Sequence, residues 1–234
     1  TWKNSKNVLI KIDGKFNMLD GTNVDIGGTL MIEHAQRYDG LGIGLFPGGL
    51  NRPIVPPNDE DIETVFGTLQ LEDSVLNTRG LWARPKSLQG TGVINTSTLL
   101  GDHDLNFDAV HGSTHQIVYN SEPGQHITVN IAASDPHNPG PLGVGYEGHA
   151  RLRIADGHNI VSGDGYLGYA ADSHGEAFVS GPSTSWTVGE RLYVARQGDA
   201  TLDVAAGAEV AAKRIDVGLL SSSVGMITVE GGGS

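Results

Sequence analysis

From Leu142 to Ser234 the chain carries one pattern twice, fifty residues apart and without a gap. Leu192 falls on Leu142, Val194 on Val144, Gly198 on Gly148 and Ala200 on Ala150. Leu202, Val204, Gly207, Val210, Gly225 and Val229 fall likewise on Leu152, Ile154, Gly157, Ile160, Gly175 and Val179. A fixed period of this length marks a stacked repeat, because each unit buries its apolar face only against its neighbours. Apolar residues alternate with polar ones inside the unit, as in Leu202/Val204, Ile215/Val217 and Ile227/Val229. A period of two sends one set inward and the intervening set outward. The expected fold class is all-β: a parallel β-helix, or β-solenoid, wound right-handed as parallel crossovers prefer. Fifty residues is long for one coil, so each repeat is expected to hold two. On the order of ten coils would make a rod of roughly 45–50 Å.

Composition narrows the partners. The chain has 234 residues, room for one large all-β domain. Its 34 glycines are about double the usual share of roughly 7%, which points to many tight turns. The net charge is −12, with few basic residues. Nucleic acid needs clustered Lys and Arg to neutralise phosphate, so it is not an expected partner, and neither is an anionic membrane surface. No apolar run approaches the ~20 residues that cross a bilayer. Cysteine is absent. A solenoid of this length has sufficient core without disulfides.

One solenoid domain is expected over residues 1–234. Residues 1–37 form its first coils, 38–62 an inserted loop and 63–141 irregular coils, followed by clear repeats at 142–191 and 192–234. The loop assignment rests on the glycines of Asp39–Gly49 and on Pro53, Pro56 and Pro57, which cannot donate to a ladder. Ala205–Arg214 contains good helix formers, but its counterpart Ala155–Asp164 is not helical, so both are expected to be strand and turn.

The two ends match in register. With Trp2 laid on Trp186, Val8 and Ile10 fall on Leu192 and Val194, so Gly231–Ser234 would be followed by Thr1-Trp2. Solenoid ends expose unpaired backbone and core, and normally need caps. An edge of Ile227 and Val229 docking on one of Thr1, Trp2, Val8 and Ile10 would join copies head to tail, an open contact that builds filaments. A start at Thr1 fits equally a processed chain or a segment whose neighbours are further repeats.

Candidate chemistry is sparse. Asp102, Asp104, Asp108, His111 and His115 form the densest group of His and carboxylate, and are the expected binding residues if there is a ligand. Such groups can ligate a divalent metal. However, the four-residue spacing of His111 and His115 suits a helix better than a strand or turn. Asp in Gly-rich turns is compatible with Ca²⁺, but no nine-residue Gly-Gly-x-Gly-x-Asp repeat is present, so no cofactor or metal site is assigned. No pair of carboxyls fits a glycosidase pattern and no catalytic residue is assigned. Trp2, Trp82 and Trp186 could stack on sugar rings, although the shared repeat position of Trp2 and Trp186 favours packing.

Ser180-Gly-Pro-Ser-Thr-Ser-Trp186, Leu192-Tyr-Val194, Gly198–Val204 and Gly207-Ala-Glu-Val210 resemble the repeats of bacterial extracellular β-helix proteins, the autotransporter passengers and PEP-CTERM surface proteins. Leu88–Ile94 resembles a turn of the same class. The resemblance implies an extracellular or cell-surface location, a right-handed β-helix and a structural or adhesive role without catalytic residues. Neither the membrane barrel nor the sorting tail of those proteins is expected within residues 1–234, which leaves the mode of anchoring open. The alternative is a polysaccharide-binding or polysaccharide-cleaving protein on the same scaffold, working at the face near residues 102–115.

Overall fold

The computed structural model of the chain describes residues 2–4, 6, 8–10, 15–19, 21–32, 34–38, 42–46, 62–66, 68–133 and 139–232. The molecule is all-β: among the described residues the only helical element is a 3-10 turn at Pro85–Ser87. Most strands run parallel, in one sheet of thirteen strands and one of five.

The register of the five-stranded sheet explains the sequence repeat. Strands His149–Ala155, His174–Ser180, Asp199–Ala205 and Gly225–Glu230 lie side by side, with Leu152 opposite Ala177, Ala177 opposite Leu202 and Leu202 opposite Ile227. Each step is 25 residues. In the larger sheet Leu142, Gly165, Leu192 and Ile215 are neighbours at steps of 23, 27 and 23 residues. Each fifty-residue repeat therefore spans two parallel steps, as its length predicts.

The sequence repeats at fifty rather than 25 because adjacent steps compensate one another. Trp186 is fully buried, and its ring fills the space beside Gly165. A Cβ on Gly165 would lie 2.9 Å from that indole and 2.7 Å from Leu192. In the other sheet the row Ala150, Gly175, Ala200, Gly225 alternates small with smallest. Close packing makes a large residue on one step demand a small one on the next, so only every second step is equivalent.

One continuous core runs from Met18 to Ala208, with Leu105, Leu152, Ala177 and Leu202 among its buried members. Each fully buried Leu or Val contributes roughly 1.5–3 kcal/mol of transfer free energy. Asp199–Ala205 and Glu209–Val217 are strands separated by a turn, so the Ala-rich stretch is not helical, as expected from its counterpart.

Four local expectations are corrected. In sequence the Gly27-Gly28 pair reads as a turn between the alternating runs Val24/Ile26 and Leu30/Ile32, but it is part of the continuous strand Asn23–Ile32, where the register shifts against Thr68–Trp82. Gly90 and Gly92 likewise sit within strand Leu88–Gly101, opposite a register shift between Glu72 and Ser74. Glycine there admits one extra residue without ending the ladder, which is a bulge. Thirdly, the 38–62 stretch is not all loop. Gly42–Phe46 is a strand, antiparallel to His34–Tyr38, which also pairs with Ile62–Phe66. Alternation of Ile43 and Leu45 with glycine suits a strand. Residues 39–41 and 47–61 lie outside the described residues. Fourthly, Thr114–Tyr119 and His126–Ala132 form an antiparallel hairpin, not two parallel steps. Their short connection allows only a hairpin, since a parallel return needs a dozen residues or more.

Candidate functional site

The hairpin and the long strands beside it build a continuous row of polar side chains. Asp25, Asn77, Asn95, Asn130 and Gln116 occupy one register row across five adjacent strands. Inward neighbours on these strands, such as Leu76, Ile94 and Val129, are buried, so strand alternation turns the amides outward. The side chains form a ladder. Gln116 Nε2 donates to Asn130 Oδ1, Asn130 Nδ2 to Asn95 Oδ1, and Asn95 Nδ2 to Asn77 Oδ1, each at 2.9 Å. Asn77 Nδ2 then donates to Asp25 Oδ1 at 2.6 Å and to Asn23 Oδ1 at 3.1 Å. Every amide donates toward the Asp25 carboxylate, so the chain is polarised in one direction and its members reinforce one another. Lys3 Nζ balances Asp25 from 3.6 Å.

An open groove of about 810 Å³ adjoins one end of this ladder, lined by Asn95, Ser97, Asn130 and Gln116 together with His111 and His115. Among the described residues no Lys, Arg, Asp or Glu lines it. Burial holds the His115 imidazole below its ordinary pKa, although a hydrogen bond to the Asn106 backbone works the other way. The ring is therefore neutral at neutral pH.

Of the five residues expected to bind, Asp108, His111 and His115 lie near one another, whereas Asp102 and Asp104 bond to the backbone of residues 147–151. The three aspartates hold turns. Asp102 Oδ1 accepts the N–H groups of Glu147 and Gly148 at 3.0 and 2.9 Å, and Asp104 Oδ1 accepts that of Arg151 at 2.8 Å. Asp108 Oδ1 accepts from the N–H groups of Val110 and His111 at 3.0 Å and pairs with His111 Nδ1 at 2.8 Å. Those bonds, the one from the His111 side chain first, pull the Asp108 carboxyl down to about 2. Asp102 is pushed up by burial, against the pull of its two N–H donors. Only His111 and His115 reach the groove, with ring centroids 6.4 Å apart. Among the described residues no three His, Asp or Glu stand close enough to hold a metal ion.

Of the tryptophans, Trp186 is fully buried and Trp82 packs edge-on against Tyr166 and Tyr169 at 5.4 Å. Trp2 is exposed and rests on Phe16, with centroids 6.1 Å apart.

The residues expected to form assembly edges lie as follows. Among the described residues, strands Trp2–Asn4 and Val8–Ile10 each pair on one side only, with Asn23–Ile32. Thr1 lies outside the described residues, and Val8 and Ile10 are placed by backbone alone. At the opposite edge the core rows emerge into solvent. Ile215 is 42% exposed where its neighbour Leu192 is 0%, Val217 is 47% where Val194 is 0%, and Val229 is 54% where Val204 is 2%. Ile227 remains half-buried against the core.

The ladder was readable only faintly. Val75-Leu-Asn-Thr78 and Val93-Ile-Asn-Thr96 repeat each other, and Val129-Asn130-Ile131 echoes them. Their offsets, 18 and 35 residues, are unequal, so no fixed period exposes them. No family model, curated protein or solved structure matches the chain.

Proposed function

We infer that the protein is a right-handed parallel β-helix serving as a secreted or cell-surface structural or adhesive element, whose copies join head to tail. The observation that carries this reading is the run-out of the core rows at Ile215, Val217 and Val229. Among the described residues, two sheets end there on strands paired on one side only, Glu209–Val217 and Gly225–Glu230. Free parallel edges over exposed apolar side chains favour the addition of further strands. The opposite edge offers a complementary surface: a hollow of about 440 Å³ bordered by Trp2, Phe16, Met18 and Leu19, with Trp2 and Leu19 exposed. The two surfaces differ, so the contact is heterologous and propagates. The likeness of Ser180–Val210 to extracellular β-helix repeats supports the location.

Sedimentation velocity and negative-stain microscopy over rising concentration test this. Filaments or a ladder of oligomers are expected. Trp2→Lys and Val229→Lys should each stop growth alone, yet form a capped dimer when mixed. A monodisperse monomer at every concentration overturns the reading.

A further inference from the structure

We propose that the groove at the end of the amide ladder is a binding site for an uncharged, polyhydroxylated chain, a neutral oligosaccharide. Three properties of the groove select that chemistry. Its size lies within the range of roughly 300–1,000 Å³ typical of ligand clefts. Its lining mixes apolar surface with amide, hydroxyl and imidazole groups and carries no fixed charge among the described residues, so it offers no counter-ion to an acidic glycan, a phosphate or a metal. Finally, its hydrogen-bonding groups remain half used.

A primary amide can donate two bonds and accept two. Asn95 spends one donor on Asn77 and one acceptor on Asn130, and Asn130 spends one donor on Asn95 and one acceptor on Gln116. Each keeps one N–H and one lone pair for a ligand. These pairs recur at the spacing of adjacent strands, ~4.8 Å. Hydroxyl groups both donate and accept, so a row of alternating N–H and C=O groups suits a run of sugar hydroxyls. Carboxylates use only the donors. The ladder also fixes the amides before any ligand arrives, which removes the entropy cost of ordering them on binding. The neutral His115 ring can accept, and Ser97 and Thr114 add hydroxyls. The site therefore discriminates by reciprocity of hydrogen bonding, without any catalytic group. It stands on geometry separate from the assembly edges, so either reading can fail alone.

Isothermal titration calorimetry of the full chain with cellohexaose, xylohexaose and mannohexaose, and with hexagalacturonate as the acidic counterpart, tests the proposal. At least one neutral hexamer should bind saturably and more tightly than the acidic one. Gln116→Ala, on the exposed outer strand of the hairpin, should weaken it by about tenfold. His115→Ala should weaken it too, with circular dichroism confirming that both variants fold. The proposal is overturned by no binding of any neutral hexamer, by preference for hexagalacturonate, or by wild-type affinity in both folded variants.

Discussion

Trp186 donates its indole N–H to the hydroxyl of Ser162 across 3.1 Å, and both side chains are wholly withdrawn from solvent. The pair lies on adjacent strands, Asn159–Ser162 and Ser185–Val194. It couples the largest buried side chain to the glycine-lined space beside Gly165. Trp186→Ala should cost about 3–5 kcal/mol, since the cavity cannot collapse around a rigid parallel ladder. Ser162→Ala should cost about 1–3 kcal/mol by orphaning a buried donor. Urea denaturation of the two variants checks both, and equal losses would contradict the packing account.

Gly175 illustrates the alternation of steps. A Cβ there would stand 2.5 Å from the Gly168 nitrogen and 2.6 Å from the Val144 oxygen, both backbone atoms that cannot swing away. Gly175→Ala is expected to destabilise by about 1–3 kcal/mol through overpacking. Ala200→Gly, one step along the same row, should lose only roughly 1 kcal/mol. Thermal unfolding of both, side by side, gives the comparison.

A stabilising change is also available. Asp156, Gly181, Ala206 and Gly231 head equivalent turns, and all have positive φ; Ala206 sits at 55° and Gly231 at 61°. An L-residue in the left-handed region is strained by roughly 1–2 kcal/mol, and exposed Ala206 recovers little through packing. Ala206→Gly should therefore stabilise the protein by about 0.5–1 kcal/mol, net of glycine's greater chain entropy. An unchanged or lowered urea midpoint would refute this.

Asp108 predicts a pH dependence. Its carboxyl falls from 3.8 to about 2 in the folded protein, chiefly through the hydrogen bond from the His111 side chain. The folded state thus favours the ionised form. The resulting stability is fully present above about pH 4 and is lost as pH falls through about 2. Wild type should be more stable than Asp108→Asn at neutral pH, and the gap should narrow between pH 4 and 2. Melting curves at several pH values measure it. A gap independent of pH would place Asp108's contribution in packing instead.

His115 also loses stability toward acid, but from a different cause and at higher pH. Its folded pKa is depressed by burial, so the unfolded chain binds its proton more readily. Stability should decline as pH falls through about 6.5, and His115→Gln should flatten that decline. The same melting series, extended to pH 8, reports the difference.

The residues themselves determined the all-β, parallel character and the two steps per repeat. These are periodic properties, and periodicity is written along the chain: Leu152, Leu202 and Val204 announce their inward face without reference to any neighbour. The assignment of Trp186 to packing was likewise legible from its repeat position. By contrast, of the group Asp102, Asp104, Asp108, His111 and His115, only Asp108, His111 and His115 are near one another in the fold. Each aspartate is occupied by a backbone partner, and for Asp102 and Asp104 that partner lies some 45 residues away, which no local pattern records. The amide ladder belonged almost entirely to the tertiary structure. Asp25, Asn77, Asn95, Asn130 and Gln116 sit at irregular intervals, and only sheet register, fixed by the buried residues on the opposite face, sets them in a row. Burial acts locally through side-chain type, whereas register is a sum over many strands, so the first can be read from the chain and the second must be folded.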